Sequence, residues 1–209
     1  MIILKKTYWA SGVVCCAIGL MFAVPCIAQE APSELSPKES FEKKLSVRIK
    51  QTRLKSKEIE KLGFEDDDDK IEIDYDGFVC TLEFRNGSEF AFDDLKVECR
   101  YFYTEESSWR NEYGAITRVK SDQKYQEDSF DMNLQPKGRY KNETRPFVIQ
   151  SYRLNSGYRF GDMADKIDAD PIGVWVRIFY TAPDGEKLQR DICEPKSFSD
   201  RISWDGKSI

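Results

Sequence analysis

Apolar and polar positions alternate with a period of two through most of the chain after residue 70. In the run 71–84, Phe78, Cys80, Leu82 and Phe84 fall on one side while Thr81, Glu83 and Arg85 point the other way, as in a strand with one face buried. Leu95, Val97, Cys99, Tyr101 and Tyr103 alternate with Lys96, Glu98 and Arg100 in the same manner. Phe130, Met132 and Leu134 alternate with Asp131, Asn133 and Gln135, and that run stops at Pro136-Lys137-Gly138, a turn signal. Residues 145–154, RPFVIQSYRL, form a further strand. Residues 172–180, IGVWVRIFY, are apolar on both faces, which marks an interior strand. Asp184-Gly185 then makes a tight turn into a last strand at 187–193.

Before residue 70 the pattern is mixed. Phe41, Leu45 and Ile49 recur every four residues, which suits a helix, whereas Leu45, Val47 and Ile49 alternate with Ser46, Arg48 and Lys50, which suits a strand. The β-branched residues fall on the alternation, so a strand is predicted at 45–54. Residues 55–63, KSKEIEKLG, read as a short helical turn or charged excursion. The stretch 29–40, QEAPSELSPKES, has one leucine among prolines, serines and acids, too little to bury, and is expected to be a disordered linker. Glu65 to Asp69 place five acids in line before Lys70. A calcium loop would need spaced oxygen ligands and a glycine to fold it back, so an exposed connection is expected instead. Residues 104–128 are polar and too long for a hairpin; they are expected to form a connecting loop, with a short strand near 113–119.

Seven strands with little helix argue for an all-β domain at 41–209, an immunoglobulin-like antiparallel β-sandwich. Its core is expected to include Leu82, Phe84, Val97, Tyr101, Val174, Val176 and Ile178. The runs FVCTLEFRNGSEFAFDDLKVECRYFYTEE, SFDMNLQPKGRY and PIGVWVRIFYTAPDGEKL resemble a group of uncharacterised secreted bacterial proteins with Ig-like or fibronectin-like modules. The resemblance covers roughly residues 71–193. It implies a sandwich and carries no active site with it; Cys80 and Cys99 depart from its pattern.

The first segment reads as an address. Lys5 and Lys6 precede 7–28, which hold no charged residue and end in Cys26-Ile27-Ala28, as a secretory signal does at its basic, apolar and small-residue cleavage regions. A signal peptide at 1–28 is expected, with an uncleaved membrane anchor as the alternative. Pro25 argues against acylation of Cys26. The mature protein is then secreted or periplasmic and touches no membrane.

Composition narrows the chemistry. The 209-residue chain has no histidine, which removes Ser/His and Cys/His pairs, His-ligated metals and histidine pH switches. No metal, cofactor or catalytic residue is implied. A net charge of −5 disfavours nonspecific attraction to nucleic acid or anionic lipid, so no polyanion partner is expected. Cys80 and Cys99 both point inward. They meet either as cross-strand neighbours, if Phe84 lies opposite Leu95, or across a shared core; a disulfide and two buried thiols are both open, with Cys193 expected to stay free. Trp109, in the polar 104–128 stretch, is a weak ligand-contact candidate, while Trp175 reads as packing. Asp74, Asp76 and Glu83 offer carboxylates for glycan hydrolysis, yet any solvated strand spaces acids this way. Asn86-Gly87-Ser88 and Asn142-Glu143-Thr144 match the glycosylation sequon, the first being more simply a turn. A binding or scaffolding module for a protein or glycan, with specificity in its loops, is the expected function, not an enzyme; a carboxylate-dependent hydrolase or a membrane-anchored assembly subunit is the alternative.

Overall fold

Ser36 opens the first element. Its hydroxyl accepts from the Glu39 backbone N–H at 3.2 Å, the Glu39 carboxylate accepts from the Ser36 N–H at 3.2 Å, and Pro37 takes the first helical position. This reciprocal cap starts a helix where composition alone suggested none. In the computed structural model, which describes residues 35–64, 70–155 and 162–206, α1 (Pro37–Lys44) leads into β1 (Leu45–Arg53) and α2 (Ser56–Glu60). There follow β2 (Ile71–Asn86), β3 (Phe92–Arg110), β4 (Ile116–Leu134), β5 (Arg139–Glu143), β6 (Phe147–Leu154), β7 (Lys166–Thr181) and β8 (Lys187–Glu194). A 3-10 turn at Lys196–Asp200 ends the series. The calcium-loop question at residues 65–69 and the signal at 1–28 lie outside the described residues. No helix among the described residues is long and apolar enough to cross a membrane.

The protein is all-β and antiparallel. Eight strands among the described residues share one hydrogen-bonded sheet in the order β1-β2-β6-β7-β3-β4, with β5 also on β2 and β8 also on β7. β2 pairs β1 over Phe78–Asn86, and on its other side pairs β6 over Ile71–Phe78 and then β5 over Thr81–Arg85. β7 pairs β3 along most of its length but meets β6 only at Ile167 and Lys166. The narrow β6–β7 seam joins two wider groups of strands.

Those two groups share a core. β2 and β3 are not hydrogen-bonded to each other, yet Phe78 stacks on Tyr101 at 5.3 Å between ring centroids, and Tyr101 stacks on Phe147 at 5.3 Å. Phe84 meets Phe130 edge-on at 6.1 Å. Leu82, Val97, Tyr101, Val174, Val176 and Ile178 have no exposure and Phe84 has 1%, so all seven expected core positions are buried. Phe41 caps one end, stacked on Tyr180 at 5.4 Å and edge-on to Phe92 at 5.9 Å. That contact, with the capping box, orders residues 37–40 as helix rather than linker. Burying a phenylalanine contributes about 2 to 3 kcal/mol, enough to anchor a two-turn helix.

A second cluster lies on the opposite side of β3 and β7. Phe102, Trp175, Cys193, Phe198 and Ile202 pack together with Ile172 and Trp204. Both faces of β7 are therefore covered, as its apolar run predicts, and the cover is the C-terminal segment.

Two expectations are corrected here. The stretch 104–128 is mostly the two arms of a β3–β4 hairpin, paired from Thr104↔Gln123 to Arg110↔Ile116. Its tip closes because Asn111 Oδ1 accepts from the N–H groups of Tyr113 and Ala115, both at 3.0 Å, with Gly114 at φ +79°. The arms are polar because β4 is an edge strand exposed through residues 116–121. The strand total rises from seven to eight because β5, RYKNE, pairs β2 although it carries no apolar alternation.

Candidate functional site

The side of β1, β2 and β5 that faces away from the core gathers cations. Pairing sets Arg48 beside Glu83 and Glu83 beside Lys141 in one row. The next row holds Ser46, Arg85 and Arg139, and the row on the other side holds Lys50, Thr81 and Glu143. Alternation sets this arrangement: Val47, Ile49, Leu82 and Phe84 take the other face, so their neighbours take this one, where all but the buried Thr81 face water. All five cations, Arg48, Lys50, Arg85, Arg139 and Lys141, are exposed.

An open groove of about 690 Å³ runs over this face, bounded also by Val47 and Tyr140. At its margin Lys141 pairs with Glu143 at 3.7 Å. Arg48, Arg85, Arg139 and Glu83 form no ion pair with any described residue. Five cations against two carboxylates make this patch strongly positive on a chain of net charge −5. Arginine presents a planar fork of N–H donors that matches carboxylate, sulfate and phosphate oxygens, so three unpaired arginines on one face form a surface fit for anionic groups.

Of the candidate ligand-contact and carboxylate residues singled out from sequence, only Glu83 lies on this face. Trp109 is the penultimate residue of β3, half-buried; its Nε1–H donates to the Asp162 carbonyl at 3.1 Å and the Arg118 guanidinium carbon lies 4.5 Å from its ring. Trp175 is 7% exposed and packs in the second cluster, as expected. Asp74 and Asp76 project to one side of β2 and Glu83 to the other, and Asp76 pairs with Arg53. Glu83 therefore cannot flank one glycosidic bond with either aspartate.

Cys80 and Cys99 do meet across the core, each with no exposure, but as free thiols. The disulfide is not formed, and the cross-strand route to it fails because β3 pairs β4 and β7, not β2. Contact with the Cys80 thiol, then burial, holds the Cys99 thiol well above the ordinary range. Cys193 is also free and buried, its thiol pushed up to about 11 mainly by burial. Asn86, the first sequon asparagine, has no exposure. Its Nδ2 donates to the carbonyls of Phe90 (2.6 Å) and Gln135 (3.1 Å), and its Oδ1 accepts from the Ser88 N–H (2.8 Å) and hydroxyl (2.6 Å). It locks the end of β2 and is no carbohydrate acceptor. Asn142 is half-buried on β5. No group of three or more Cys, Asp or Glu that could hold a metal ion occurs among the described residues.

A second group of cations lies on β3 and β7. The Arg100 guanidinium carbon sits 4.2 Å from the Tyr125 ring centroid and 4.3 Å from that of Trp204, and Arg177 sits 4.2 Å from Trp204. Arg100 also donates to the Trp204 carbonyl at 2.7 Å and pairs with Glu127 at 3.3 Å. These cations are committed within the fold, unlike those over β1, β2 and β5.

No family model matches the chain, and no curated protein matches it. Among solved structures, the X-ray structure of Northeast Structural Genomics Consortium target SoR45 is similar at 12% identity over 72% of this chain and 85% of that one, with a TM-score of 0.32. The crystal structure of the putative ApaA protein from Bordetella pertussis is similar at 12% identity over 71% of this chain and 87% of that one, with a TM-score of 0.26.

Proposed function

We propose that this chain is an exported β-sandwich of immunoglobulin-like class that acts by binding, not catalysis, and that it holds an anionic partner on the cation-rich face of β1, β2 and β5. The sandwich reading draws support from β2 and β3, which pack rings and thiols against each other without sharing hydrogen bonds. Export rests on the basic, apolar and small-residue order of residues 1–28. The observation that carries the function is the cluster of Arg48, Arg85 and Arg139, exposed and without ion pairs among the described residues. Unpaired arginines on one face repel one another, and an anionic ligand relieves that repulsion.

The expectation against polyanions came from net charge, which averages over the whole surface; binding responds to the local field. The test is titration of the protein lacking residues 1–28 with polygalacturonate and with poly-glutamate at low and high salt. Binding to at least one, weakened by salt and lost in the Arg85→Glu/Arg139→Glu double variant, is the expected result. Binding to neither, or binding indifferent to the double variant, overturns this reading.

A further inference from the structure

Glu83 stands in the centre of the basic face, between Arg48 and Lys141 in one row and beside Arg85 on its own strand. It is exposed and forms no ion pair within 4.0 Å among the described residues. A carboxylate can only accept hydrogen bonds. A ligand made of acceptors alone, such as a chain of carboxylates or phosphates, satisfies the arginines and is repelled by Glu83. A ligand that carries both anionic groups and hydroxyls satisfies both. Glu83 is then a hydroxyl acceptor set among anion donors.

The size of the face points the same way. Three strands span roughly 10 Å across, and Ser46 to Lys50 spans roughly 14 Å along the chain. A stable protein partner buries about 800 Å² on each side, far more than this footprint. β1 and β5 pair only with β2, so each leaves one edge unpaired, but those edges point sideways within the sheet; a peptide laid across the face itself would meet side chains and find no backbone groups for its own amides. A polysaccharide carries its hydrogen-bonding groups on its rings and needs none.

Resting on the reading of this face as a binding surface, we infer that its ligand is a segment of acidic polysaccharide, its carboxylates taken by Arg48, Arg85 and Arg139 and its hydroxyls by Glu83. Glu83 sets the specificity, because its effect has opposite sign for hydroxyl-bearing and hydroxyl-free polyanions. Removing it costs a hydrogen bond in the first case and removes a repulsion in the second.

The experiment compares the protein lacking residues 1–28 with its Glu83→Ala variant, titrated with polygalacturonate, polyacrylate, a single-stranded oligonucleotide and phosphatidylglycerol vesicles. Glu83 has no partner to lose, so the variant keeps the fold, which a thermal melt checks. Polygalacturonate is expected to bind most tightly, and Glu83→Ala to weaken it by about threefold or more while tightening polyacrylate, which offers acceptors alone. If Glu83→Ala tightens polygalacturonate, or if polyacrylate, oligonucleotide or vesicles bind as well as polygalacturonate, the polysaccharide inference fails. The binding role of the face still stands in that case, provided the Arg85→Glu/Arg139→Glu variant abolishes whatever binding is seen. If no polyanion binds, both fail.

Discussion

The guanidinium carbon of Arg177 lies 4.2 Å from the centre of the Trp204 indole while its Nε and Nη2 donate to the two carboxylate oxygens of Asp191 at 2.8 and 2.9 Å. Arg100 approaches the same indole at 4.3 Å, and Trp175 meets it edge-on at 5.8 Å. Trp204 therefore fastens the C-terminal segment to β3 and β7. Trp204→Ala removes two cation–π contacts, each contributing about 0.5 to 1 kcal/mol, together with ring packing over Trp175. A loss of about 2 to 3 kcal/mol in urea unfolding is expected. A loss below about 0.5 kcal/mol would show that the segment is not part of the cooperative fold.

Asn86 permits a test at nearly constant shape. Its Nδ2 faces the carbonyls of Phe90, Leu134 and Gln135, and its Oδ1 faces the Ser88 N–H and hydroxyl. Asn86→Asp keeps the volume but turns an acceptor, and a buried charge, toward those carbonyls. Destabilisation of about 3 kcal/mol or more is expected by chemical denaturation, because several buried polar groups lose partners at once. Asn86→Ser should fall between the two, since a hydroxyl still donates to one carbonyl. An Asp variant as stable as the parent would mean that the amide contacts are not made.

How much of this was legible depends on how each strand buries its side chains. The inward rows Phe78–Phe84, Leu95–Tyr101 and Val174–Ile178 stand out because one face meets a dry core, which forces a period of two. β5 escaped notice because Tyr140 and Lys141 are exposed and Asn142 half-buried; its place comes from pairing with β2, not from its own pattern. The outer arm of β4 looked like a loop for the same reason. The basic face was hidden more deeply, since Arg48, Arg85 and Arg139 lie on three strands far apart in sequence and only register makes them neighbours. The alternation around Glu83 and Arg85 was visible, but without β5 the third column was missing.

The cysteines give a count. Cys80, Cys99 and Cys193 are all free and buried. Protein purified without reductant and lacking residues 1–28 is expected to react slowly with a thiol reagent when native, and to release three equivalents when denatured. One equivalent would mean that the Cys80–Cys99 pair is oxidised in that preparation. Burial, not a lowered thiol pKa, sets the slow native rate: Cys99 and Cys193 are both shifted upward, which leaves less thiolate to react.

The same shifts fix how stability depends on pH at the alkaline end. Burial pushes the Cys193 thiol up to about 11 from an ordinary value of 9.0, and burial also raises the Tyr101 hydroxyl, which accepts from Gln51 at 2.9 Å. Each of these groups is neutral when protonated, and the folded state holds its proton more tightly than the unfolded chain does. Between the two pKa values the folded state thus binds more protons, so stability falls as pH rises. For Cys193 the contribution is complete below pH 9 and lost as pH climbs through about 11. Urea midpoints measured at intervals from pH 8 to pH 11 should therefore decline above pH 9, and Cys193→Ala, compared with its own value at pH 8, should decline less steeply. Parallel curves for parent and variant would show that the Cys193 thiol titrates as freely in the folded protein as in the unfolded one.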